Sequence, residues 1–92
     1  MPQILRIGSY IVYFWSNEGN HLEPIHVHIS EGKPSVDATK VWITSSGKTV
    51  LCNNNSNIPE VTLHRIMRVL EANSDEIIRL WIEYFEEISF FC

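Results

Sequence analysis

The sequence predicts an α+β fold: an antiparallel sheet of four to five strands, followed by two C-terminal helices packed on one face. Three observations predict it. Short β-rich segments separated by turn residues fill positions 4–52. The polar run "NNNSN", 53–57, then breaks the pattern. Two segments with helical apolar spacing come after it. Strands first and helices last is the α+β order, in which helices gather on one side of an antiparallel sheet.

The elements follow in chain order. "ILRI", 4–7, is a short strand, and Gly8-Ser9 supply a turn. "YIVYFW", 10–15, is dense in β-branched and aromatic residues and reads as an interior strand. "SNEGNHLEP", 16–24, is a loop. "IHVHI", 25–29, alternates strictly and is a strand. "EGKP", 31–34, is a turn, and "SVDATKVWI", 35–43, a strand with a bend near Lys40. "TSSGK" turns the chain so that "TVLC", 49–52, pairs back; Cys52 reads as a small buried residue. In the first helix Leu63, Ile66, Met67 and Leu70 form one apolar stripe. Asn57 and Glu60 have capping-box spacing, and Pro59 fits the first turn. Asn73 and Glu76 repeat that signal before a stripe of Ile77, Ile78, Trp81, Tyr84, Phe85 and Ile88. The end, "SFFC", is apolar.

Ninety-two residues make a single α+β domain spanning 1–92. An apolar content of 45% supports a core, and no segment has the length of a membrane span. The net charge of −4 disfavours a non-specific grip on nucleic acid, which needs Lys and Arg to displace counterions. Cys52 and Cys92 have no zinc-type spacing, and with no signal peptide they point to the reducing cytoplasm. Sequence motifs for phosphate loops, nucleophile elbows and zincin helices are absent.

Three of the four histidines fall between positions 21 and 28. Pleating turns Ile25, Val27 and Ile29 toward the helices and sends His26 and His28 to the other face, about 6.6–7 Å apart along the strand. His21 and Glu18 precede them in the entering loop. Three kinds of chemistry suit this pattern. The imidazoles could be structural, bonding to loop carbonyls or Glu18. They could bind a divalent metal such as zinc, with His26, His28, His21 and Glu18 as ligands. They could act as an acid–base pair on a ribose 2′-hydroxyl, with His26 and His28 catalytic. A nuclease would present both rings in one concave site with a cation nearby; His64, Arg65 and Arg68 are cation candidates if they reach that face. An interaction module would bury or cap the rings. The aromatic run 10–15 and Trp81 read as core, and Arg65 and Arg68 as a solvated face paired with Glu71. The apolar end needs a cover, either the chain's own sheet, a protein partner or self-association.

Glu18, His21, Pro24, His26 and His28 together resemble the element of a family of small bacterial proteins, domain-of-unknown-function family 4160. That element is of the Glu-x-His-x-Pro-Pro-His-x-His type and follows an opening strand. Here Ile25 stands at the second proline, and one more residue separates His21 from Pro24. The later helices, with Trp81 in the second, are similar too, while "FEEISFFC" extends past the family pattern. The resemblance implies no defined activity. It implies a small co-encoded partner, since members lie beside a second small gene in arrangements like toxin–antitoxin cassettes. The sequence therefore points first to a bacterial cytoplasmic protein-binding component. A histidine- or metal-dependent ribonuclease is the alternative, and a structural metal-binding domain the third.

Overall fold

Among the described residues, five strands form one antiparallel sheet in chain order: β1 (Gln3–Ile7), β2 (Tyr10–Tyr13), β3 (His26–Glu31), β4 (Thr39–Ile43) and β5 (Thr49–Asn53). Helices α1 (Glu60–Ala72) and α2 (Ser74–Phe85) follow. The computed structural model describes residues 3–15 and 23–92. The α+β order predicted from the sequence is the order the chain adopts, and both helices lie on one face.

Side-chain alternation assigns the two faces. Val12, Phe14, Ile25, Val27, Ile29, Val41 and Ile43 turn toward the helices and meet Leu63, Ile66, Leu70, Ile77 and Trp81. The opposite face carries a smaller cluster of Ile11, Tyr13 and Ala38, with Trp15 against it. The aromatic run is thus core on both sides of the sheet: Phe14 belongs to one layer and Tyr13 to the other.

Several local expectations are corrected. The fourth strand starts at Thr39 instead of Ser35. The Tyr13 hydroxyl donates to the Ser35 carbonyl and accepts from the Ser35 N–H, so this backbone folds over the far face and is lost to the ladder. The bend near Lys40 is a register shift: Lys40 pairs with Asn53, and Val41 with Leu51. Cys52 is the extra residue, left exposed on an edge strand and not buried. Asn57 does not cap α1. It takes a left-handed φ of 56°, and Pro59 occupies the N-cap. Asn54 does the fixing instead, bonding both the N–H and the carbonyl of Ile58. Asn73 joins the helices, and its amide donates to Val69 at the end of α1. Glu71 accepts from the Thr49 backbone and hydroxyl, tying α1 to β5, and is not the partner of Arg65 or Arg68. Tyr84 is exposed, past the β1 edge beside Gln3 and Ile4. Ile88 lies beyond α2, which stops at the left-handed Glu86, yet still packs on the core.

The apolar end covers its own sheet. The Ser89 carbonyl accepts from Ile25 N–H, and the Cys92 carbonyl from Ser45 N–H. Phe90 packs on the helix-side core, while Phe91 stacks flat on Trp42, with centroids 4.8 Å apart. Among the described residues, no helix is long and apolar enough to cross a membrane.

Candidate functional site

β3 places His26 and His28 on the face away from the helices, as alternation requires. Their cross-strand neighbours share that face. His26 pairs with Trp42, and His28 pairs with Lys40 on one side and Tyr13 on the other. The two rings meet edge to face with centroids 5.2 Å apart. The face is not open, however. His26 is 7% exposed and His28 6%. The 32–38 loop, drawn over by Tyr13, covers one flank, and Trp42 under Phe91 covers the other.

At the start of β3 the sheet ends, so side chains from both layers meet. His26 contacts Trp81 of α2 at 5.5 Å between centroids. An unbroken arc of rings results. Phe85 lies 4.2 Å from Trp81, His28 stacks on Tyr13 at 5.8 Å, and Tyr13 meets Trp15 at 6.4 Å. Both ends of the arc return to one cavity of about 130 Å³, lined by Trp15, Glu23, His26, His28, Val36, Trp81 and Phe85.

The chain itself sets the imidazole tautomers. His26 Nδ1–H donates to the Pro24 carbonyl at 2.9 Å, and His28 Nδ1–H points to the Ala38 carbonyl at a long 3.5 Å. A carbonyl only accepts, so in the neutral ring Nδ1 carries the proton and Nε2 keeps its lone pair. Among the described residues, neither Nε2 has a hydrogen-bond partner. Burial pushes His26 down to about 4, against the Pro24 bond, and nearby Lys40 adds to the depression. Burial is also the main cause lowering His28. Both rings are therefore neutral at pH 7.

Lys40 and Glu23 complete the polar part. Lys40 Nζ bonds Glu23 Oε1 and sits 4.5 Å from the centre of the Trp42 ring. That bond is the chief cause holding the Glu23 carboxyl below its ordinary range.

Of the residues singled out from sequence, His26 and His28 come together. Glu18 and His21 lie outside the described residues. His64, Arg65 and Arg68 are exposed on α1, which packs on the opposite face, so they are not the cations of this site. The nearby cation is Lys40. A signal for it existed in the "EGKP" turn: His28 and Lys40 lie six residues either side of Pro34, the register of a hairpin centred there. Glu23, adjoining Pro24, is the carboxylate found at this corner among the described residues, where the sequence reading names Glu18. Among the described residues, no group of three or more His, Cys, Asp or Glu is set to hold a metal ion.

The comparisons bear on this chain as a whole. Residues 9–82 match the family described as a domain of unknown function, DUF4160. The chain belongs to that family. The match takes in the sheet from the β1–β2 turn onward and ends within α2 just after Trp81, leaving the Phe90–Phe91 segment outside it. Comparison with curated proteins and with solved structures gives no match. Membership in DUF4160 carries no defined activity, so what this member does is argued from the geometry.

Proposed function

We propose that this DUF4160 protein is a cytoplasmic protein-binding component, one half of a two-gene toxin–antitoxin-like pair whose other half is a small co-encoded protein. The observation that carries this is the capping of the two imidazoles. Both rings are buried, their Nδ1 atoms point to the chain's own carbonyls, and both are neutral near pH 7. Acid–base cleavage of RNA by two histidines needs one imidazolium to donate a proton at working pH. A ring titrating near 4 is a poor source of that proton. Lys40, the cation a phosphate would want, is already held by Glu23. Exposed apolar side chains on both helices, Val61, Ile82 and Tyr84, suit a partner surface better than a solvated enzyme exterior.

The test is to identify the genes flanking this one, to purify the chain with and without the product of a small flanking gene, and to measure mass by light scattering; the lack of any such gene would remove the two-gene reading. A stable complex of the two is expected. RNA incubated with the wild type, His26→Ala and His28→Ala should show no cleavage that depends on either ring. Absence of any complex, together with RNA cleavage lost in the two variants, would replace this reading with the ribonuclease.

Metal binding is a second reading, favoured by one observation. An imidazole whose Nδ1–H is directed to a backbone carbonyl presents Nε2 as a ligand, the arrangement common around bound metals. A divalent ion such as zinc would take His26 and His28, with Glu18 and His21 as the proposed further ligands. Metal analysis of the purified protein decides it, with unfolding followed with and without chelator. If no metal co-purifies and chelator changes nothing, this reading is removed.

A further inference from the structure

The cavity beside the two imidazoles has the chemistry of a cation receptor. Among the described residues, five of the seven that line it carry rings, from Trp15 round to Phe85, and a carboxylate, Glu23, stands among them. Aromatic faces attract cations through their quadrupole, and most strongly where water is excluded. The polar atoms are acceptors as well. With Nδ1 of both histidines directed to backbone carbonyls, the remaining ring nitrogen is the lone-pair Nε2. Lys40 occupies only Oε1 of Glu23, whose side chain is 46% exposed at the rim. An anion would meet that carboxylate and rings whose Nδ1–H groups are already directed to backbone carbonyls, so anions are disfavoured. A quaternary ammonium would use the rings but leave the acceptors unmet. The flat, five-donor guanidinium satisfies both, stacking on rings while its N–H groups bond outward. Size agrees: about 130 Å³ holds one side-chain end, well below the roughly 300–1,000 Å³ of small-molecule sites.

We infer that this cavity receives an arginine side chain of the protein partner, its guanidinium held among Trp15, Trp81 and Phe85 and bonded to Glu23 and the imidazole Nε2 atoms. The inference rests on the protein-binding reading and adds the chemistry of the contact. The chain's net charge of −4 fits a basic partner segment.

The experiment titrates the full chain with N-acetyl-arginine amide, N-acetyl-lysine amide and N-acetyl-citrulline amide, following tryptophan emission and the indole NMR signals. Arginine should saturate. Citrulline, the neutral analogue, should bind at least about tenfold more weakly, and lysine should also be weaker. Trp15→Ala and Glu23→Gln, both at the cavity rim, should each weaken arginine binding about tenfold. Lack of saturable arginine binding, citrulline or lysine equal to arginine, or both variants equal to the wild type would overturn the inference. A second arm repeats the titration with the co-encoded protein present. Loss of the arginine response in the complex is expected. A complex that leaves the response intact overturns the inference while the protein-binding reading survives. An arginine response with no complex supports the cavity's chemistry and removes that reading.

Discussion

His26 is a base weakened by its surroundings. In the unfolded chain it titrates near the usual histidine value of about 6.5; in the fold, burial takes it to about 4. Between those values the unfolded chain holds the proton more strongly. Stability is therefore full above about pH 6.5, declines as the pH falls, and levels off below about 4, with a loss of about 3 kcal/mol from this residue. His28 acts in the same direction. Glu23, with its lowered carboxyl, also loses its contribution on acidification, though its exposure keeps that small. Urea unfolding at pH 7 and pH 4.5 should show the decline, and His26→Gln should flatten it. An unchanged slope in the variant would place the acid sensitivity elsewhere.

At the scale of elements, the hairpins determine what meets what. The β3–β4 turn brings Lys40 opposite His28 and Trp42 opposite His26. The β4–β5 turn has a different duty. Gly47 stands at φ +84°, and a Cβ there would lie 2.9 Å from the hydroxyl oxygen of Ser74, the first residue of α2. Gly32 has a similar φ of +87° with nothing within 4 Å of its would-be Cβ. Gly32→Ala should therefore cost only the left-handed strain, about 1–2 kcal/mol. Gly47→Ala should cost somewhat more, because the Ser74 hydroxyl must also swing aside. Denaturant midpoints of the two variants read the difference; equal losses would mean that the Gly47–Ser74 approach holds nothing together.

At the scale of the molecule, the segment after α2 closes the end of the sheet. It bonds Ile25 and Ser45, adds Phe90 to the helix-side core and lays Phe91 on Trp42, which in turn packs on His26. Replacing both phenylalanines by alanine removes part of a core side chain and one aromatic stack, a loss of about 2–4 kcal/mol. Unfolding curves should register that loss, and the native emission should move to the red as Trp42 meets water. A variant as stable as the wild type, with unshifted emission, would show that the segment merely rests on the surface.

The succession of strands and helices along the chain, the helix stripe of Leu63, Ile66 and Leu70, and the face taken by His26 and His28 were determined by the sequence itself. Each follows from a local period of side chains along the backbone, and a period can be read from neighbours alone. Burial of the two rings, the Lys40–Glu23 pair, the exposure of Cys52 at a bulge, and the arc that brings Trp15 and Phe85 to one cavity were decided only by the tertiary structure. Those features join segments far apart in the chain, and they depend on how a loop, a strand register and a terminal segment pack together. No local period carries that information.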